Sequence, residues 1–148
     1  MRRPLVAHAA LLVACCLTLI GCKGSMKAME MTVQGGPDMN NGGNAAVVRL
    51  YQLSGDSNFM RASLETFWRD DEETLGAELI APKQEILLYP EQERAIDLNI
   101  GEETRYIGIA ADLRAPDPVQ WRKVFDAEEL RGKQVTVTVG SDRLNVSY

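Results

Sequence analysis

The chain has 148 residues, 45 % of them apolar, with 16 basic and 21 acidic side chains and a formal net charge of −5. That length supports one core rather than several, and the acidic balance argues against nucleic acid and against an electrostatic grip on anionic lipid. The single histidine, His8, and the three cysteines, Cys15, Cys16 and Cys22, all lie in the first 22 residues. A body that begins after them has no disulfide, no Ser–His or Cys–His nucleophile pair and no imidazole metal ligand.

The chain opens with Arg2 and Arg3, followed by an apolar run from Leu5 to Ile20 that is too short and too rich in small residues for a permanent membrane span. It reads as a secretory signal peptide, residues 1–21. The run ends on Leu19-Ile20-Gly21-Cys22, which resembles the lipobox of bacterial lipoproteins. That resemblance implies cleavage before Cys22, a diacylglycerol on its thiol and a third acyl chain on the new amino group. At about 0.8 kcal/mol per buried methylene, three chains exceed the two signals that stable anchoring needs. This covalent lipid is the one non-protein group expected; no cofactor and no metal is. Position 23 is Lys23, where Asp retains enterobacterial lipoproteins in the inner membrane, so the resemblance implies sorting to the outer membrane, facing the periplasm.

Residues 22–28 form the acylated cysteine and a short polar tether, and residues 29–148 form the folded body. Met29, Met31 and Val33 alternate with Glu30, Thr32 and Gln34, a half-buried strand that Gly35-Gly36-Pro37 ends. Then come Pro37, Asp38, Met39, Asn40, Asn41, Gly42, Gly43 and Asn44, residues that favour turns and left-handed backbone. This loop is longer than a tight hairpin requires, and function concentrates on such loops. Met39, its one apolar side chain, is the expected anchor of any contact it makes, set among exposed backbone amides.

A strand over 46–53 follows, with Val48 and Leu50 on one face, Val47, Tyr51 and Leu53 on the other, and both faces partly covered. A helical insert is predicted over about residues 57–80. Met60, Leu64, Phe67 and Trp68 recur at i, i+4, i+7 and i+8 behind Asp56 or Ser57 as cap, and a further turn from Asp70, with Glu73 three residues on, ends near Gly76. Leu75 and Leu79 face inward and Pro82 closes the insert. Strands are then predicted over 85–89, 95–100, 106–113, 121–125, 134–139 and 144–148, with Pro116 and Pro118 breaking the middle of the series. Seven or eight short, mostly antiparallel strands with one helical insert define a mainly β, two-sheet sandwich.

Candidate chemistry is sparse. Asp70, Asp71, Glu72 and Glu73 lack the alternate ligands and glycine of a calcium loop and read as a solvated, dipole-stabilised helix start. Asp117 and Asp126 read as surface acids. Ser141 sits in Gly140-Ser141-Asp142, without a nucleophile-elbow context, and reads as a turn. Trp68 and Trp121 read as core, and Arg122 is expected to point outward. The chain is expected not to be an enzyme.

Three segments resemble the TssJ family, the outer-membrane lipoproteins of type VI secretion systems: Val47-Val48-Arg49-Leu50-Tyr51-Gln52-Leu53, Phe67-Trp68-Arg69-Asp70-Asp71 through Thr74-Leu75-Gly76, and Tyr106-Ile107-Gly108-Ile109-Ala110-Ala111 with Trp121-Arg122. The resemblance implies a transthyretin-like sandwich and a non-enzymatic role anchoring the trans-envelope complex. It also implies that the loop Pro37–Asn44 binds the periplasmic C-terminal region of a TssM-like inner-membrane protein, with no nucleic acid and no small-molecule substrate. The loop departs from the family's Leu-Asn-Pro-Asp, reading Met39-Asn40-Asn41-Gly42 instead. The alternatives are a transthyretin-like ligand-binding or pilot lipoprotein of another envelope machine and, third, a histidine-free carboxylate hydrolase.

Overall fold

The computed structural model describes residues 27–148. Along the chain, β1 (Lys27–Gly35) leads through a four-residue turn, α1 (Met39–Gly42), to β2 (Ala46–Leu53). Three short helices follow, α2 (Ser57–Arg61), α3 (Leu64–Arg69) and α4 (Asp71–Leu75), the last running into a 3-10 turn over Gly76–Glu78. The rest is strand: β3 (Gln84–Leu88), β4 (Glu93–Ile100), β5 (Tyr106–Ala111), β6 (Arg122–Asp126), β7 (Val135–Val139) and β8 (Leu144–Ser147). The expected sandwich is found, with two four-stranded sheets in the orders β4-β1-β7-β8 and β3-β2-β5-β6. Every pairing is antiparallel except β1 with β7, whose register sets Met31 opposite Val135 and Val33 opposite Val137.

Strict alternation builds the core. Met31, Val33, Leu98, Val135, Val137, Val139 and Leu144 project from one sheet, and Ala46, Val48, Leu50, Leu88, Ile107, Ile109 and Ala111 from the other, all buried. Each large side chain contributes about 1.5–3 kcal/mol relative to exposure, with no disulfide among them. The second face of β2 and β5 is also covered, as the pattern of β2 predicts. Tyr51, Leu53 and Ala110 meet Phe59, Phe67, Leu75 and Trp121 in a separate cluster beneath the helical insert.

The insert differs from its sequence reading. The helix expected to run through Met60, Leu64 and Phe67 is broken at Ala62, whose φ −58, ψ 138 is extended, and Ser63 starts a new helix by accepting a hydrogen bond from the Thr66 N–H at 3.2 Å. The break resets the helical phase. Phe59 points inward in place of Met60, which is 48 % exposed, and Phe59 meets Phe67 edge-on at 5.4 Å. Gly108 on β5 leaves room for this, since a Cβ there would sit 3.2 Å from the Phe59 ring.

The strand directions also define two ends. β1 starts at Lys27, so residues 27 and 28 of the expected tether are strand, and it carries the chain across the sandwich, nine residues or on the order of 30 Å at about 3.4 Å per residue, to the loop Pro37–Asn44. The turns at 89–92, 112–121 and 139–143 share the loop end. At the Lys27 end a cavity of about 380 Å³ is lined by Met29, Ile100, Thr104, Ala127 and Arg131 among others.

Candidate partner loop and the clamp beneath the insert

The loop is built rather than loose. Asn40 (φ 49) and Asn41 (φ 59) are left-handed, and Gly42 and Gly43 continue at φ 93 and 84, four successive residues in a region that L side chains other than Asn and Asp seldom adopt. The backbone N–H groups from Met39 to Asn44 all donate within the protein: to Gly36, Gly140, Ser141, Asp38 and, twice, Met39. They are therefore not on offer to a partner, contrary to the sequence expectation.

Met39 corrects that expectation too. It is fully buried and belongs to the inter-sheet core, so it pins the loop instead of projecting from it. A Cβ at Gly35 would come within 2.5 Å of its Sδ and 2.4 Å of the Tyr89 carbonyl, so only glycine fits where the strand meets the loop. Pro37, Asp38, Asn41, Gly42 and Gly43 are exposed and Asn44 is half-buried, while Asn40 is buried. The reachable surface of the loop is polar.

The acidic stretch 70–73 divides. Asp70 caps α4, accepting from the Glu73 N–H at 3.2 Å, and with Glu72 and Glu73 it is exposed as expected. Asp71 is not solvated: it is 4 % exposed and lies against β2. Its carboxylate accepts from the Tyr51 hydroxyl at 2.6 Å, from Lys83 Nζ at 2.7 Å and from Arg49 Nη1 at 3.2 Å. Burial alone would raise its pKa, but the hydrogen bonds from Lys83 and Tyr51 and the charges of Arg49 and Lys83 outweigh this and hold it below the usual carboxylate range. Burial first, and then the neighbouring Asp71, push the Tyr51 phenol far above its ordinary value. Arg49 also pairs with Glu85 at 2.8 Å and lies 4.5 Å over the Trp68 ring. A lone arginine on the otherwise apolar Val47-Tyr51-Leu53 face was the one sequence signal of this clamp.

Arg122 does not point away as expected. Its Nη1 donates to the carbonyls of Phe59 and Ala62, each at 2.6 Å, and Nη2 to that of Met60, so one guanidinium caps the C-terminal end of α2. The same group lies 4.6 Å over the Trp121 ring. Gln52, the remaining polar residue of the β2 motif with an outside partner, ties the Lys27 end together: its Nε2 donates to the Asn99 carbonyl at 3.0 Å, and its Oε1 accepts from Gly101 N–H at 3.2 Å and from the Thr104 hydroxyl at 2.9 Å.

Cys22 and Lys23 lie outside the described residues. Among the described residues no group of three His, Cys, Asp or Glu is placed to hold a metal ion, and no helix is long and apolar enough to cross a membrane. Asp117 accepts from the N–H groups of Val119 and Gln120 as a turn residue, and Asp126 does the same for Glu128. Ser141 lies in the β7–β8 turn, its carbonyl bonded to Asn41.

These elements define a two-sheet sandwich with a clamped helical insert on one outer face and a structured loop at the end away from its N-terminal strand start. A sequence model of the type VI secretion lipoproteins, the family of VasD, EvfM and TssJ, matches residues 27–142, and the chain belongs to that family. The TssJ1 lipoprotein of the Pseudomonas aeruginosa type VI secretion system is 27% identical with a TM-score of 0.72, the match covering 82% of this chain and 95% of that one. A chain in a structure of a type VI membrane complex is 24% identical with a TM-score of 0.75, covering 83% and 99%. A chain in a structure titled for the TssM C-terminal domain (869–1107) from EAEC is 22% identical with a TM-score of 0.73, covering 83% and 99%. The last two are likenesses of fold. Among curated proteins none matches.

Proposed function

We propose that this lipoprotein anchors the membrane complex of a type VI secretion system at the outer membrane, through acyl chains on Cys22 and through binding of a TssM-like inner-membrane protein at the loop Pro37–Asn44. Lys23 directs the sorting. The observation that supports the reading is the position of the loop Pro37–Asn44 at the far end of β1 from Lys27. β1 starts at Lys27 and the loop follows its end, so on this reading a strand separates the lipidated N-terminal side from the binding surface. Chains of this fold in structures titled for a type VI membrane complex and for a TssM C-terminal domain support the choice of partner. The role is non-enzymatic; among the candidate acids, Asp70 and Asp117 serve as helix and turn caps and Asp71 is paired with Lys83 and Arg49.

The test is Cys22→Ser in the full-length protein. The expected result is a folded protein that fractionates with soluble periplasmic contents, still co-purifies with the periplasmic region of the TssM-like protein and no longer supports secretion. A Cys22→Ser protein that sediments with outer membrane, or that sustains secretion, overturns the anchoring role. Loss of TssM binding on removal of the lipid alone overturns the two-point arrangement.

A further inference from the structure

Resting on that reading, we infer that Asn40 is the positioning residue of the partner loop, a side chain that the partner never touches but that sets the conformation it meets. Asn40 is 4 % exposed, so it offers a partner almost nothing directly. Its amide bridges two segments that are otherwise separate. Nδ2 donates to the Ala45 carbonyl at 2.5 Å, just ahead of β2, and Oδ1 accepts from the Arg114 N–H at 2.6 Å, beyond β5. Reversing the amide would face donor to donor and acceptor to acceptor, so these partners fix its orientation.

The backbone of the same residue continues the clamp. Its N–H donates to the Gly140 carbonyl at 3.0 Å, its own carbonyl accepts from Asn44 Nδ2 at 3.0 Å, and the adjoining Asn41 N–H reaches the Ser141 carbonyl at 2.8 Å. One residue thus joins the loop to the start of β2, to the segment after β5 and to the β7–β8 turn. A left-handed run persists only where its surroundings over-determine it, and Asn supplies both requirements here. It tolerates positive φ better than other L residues with a side chain, and it carries a donor and an acceptor on a short arm. The consequence is a loop whose exposed residues, Asp38, Asn41 and Gly42, are already ordered before binding, which removes an ordering entropy that association would otherwise meet.

The experiment uses the full-length lipoprotein in detergent micelles, titrated with the periplasmic C-terminal region of the TssM-like protein of the same organism. Hydrogen exchange is followed in parallel, below the melting temperature of every variant. Asn40→Ala should weaken binding about tenfold or more and speed exchange at the amides of 40–44 and 114, with β1 and β7 exchanging as in the parent. Asn40→Gly, which keeps the left-handed backbone and loses only the amide bonds, should recover part of the affinity, because glycine adopts positive φ without the strain that alanine meets there; parent-like exchange of β1 and β7 in both variants separates this from a global loss of stability. Asp38→Arg, at an exposed contact position, should abolish binding with parent-like exchange. A loop that loosens in Asn40→Ala while affinity stays at the parent value, with Asp38→Arg still defective, overturns the positioning role alone. Unchanged exchange in Asn40→Ala overturns it as well. Unchanged affinity in Asp38→Arg removes the loop from the interface and overturns both readings.

Discussion

The sheet β3-β2-β5-β6 has an apolar cluster on each face, and the two are held in different ways. Toward the other sheet the contacts are aliphatic and methionine side chains, delivered by alternate residues of paired strands. Toward the insert the largest are rings: Phe67 lies 5.5 Å from Tyr51, 5.4 Å from Phe59 and 5.3 Å from Trp121, framed by Arg49, Asp71, Lys83 and Arg122. The difference follows from what each must hold. Strands arrive already joined by ladders of backbone bonds, so their inner side chains need only fill space. Helices of five, six and five residues are far below the length at which a helix is stable in water, so the insert exists only through a few large contacts and fixed polar bonds.

Phe67→Ala tests that dependence most strongly. Removing the ring at the centre of the cluster should cost about 4 kcal/mol and release the insert to proteolysis at 57–80 in conditions where the sandwich persists. Met31→Ala, of comparable size in the other cluster, should lower the cooperative melting transition with no early cleavage of the insert. Proteolysis that follows global unfolding in both variants would show that the two clusters form one cooperative unit.

Asp71→Ala should cost about 3 kcal/mol, because it leaves Arg49 and Lys83 facing a site with no counter-charge. Since the folded-state pKa of Asp71 is depressed, its stabilising contribution is complete above the unfolded carboxylate value, about 3.9, and is lost as pH falls through the lower folded value. Urea titrations should therefore show the parent and Asp71→Asn converging in stability below pH 4 and separated at pH 7. A constant separation over this range would remove the ionised clamp from the account. Ser63→Ala, which deletes the cap where the insert's helix restarts, should have the smallest effect, about 1 kcal/mol, visible as a lower urea midpoint.

The three segments that resemble the family combine inter-sheet core positions with polar residues that hold one particular partner. Arg49 and Tyr51 hold Asp71, Gln52 holds the turn between β4 and β5, and Arg122 caps α2. They sit at motif positions because a buried charge or amide needs one particular partner at one distance, while an aliphatic position accepts several side chains of similar volume. The loop, where this chain departs from the family pattern, is held by Asn40 and Met39.

The strands, their inward faces and the two-sided coverage of β2 were determined by the sequence alone, since a period of two is a local property of the chain and the hydrophobic effect acts on it without regard to partner. The position of the loop between the first two strands was determined in the same way. Only the tertiary structure decided that Met39 turns inward, that Asp71 is an ion-paired core residue, that Arg122 bends back over α2, and that Phe59 replaces Met60 at the interface. Each of those depends on a group tens of residues away in sequence, and the free energy of burying a polar side chain is set by whether such a partner is there to meet it.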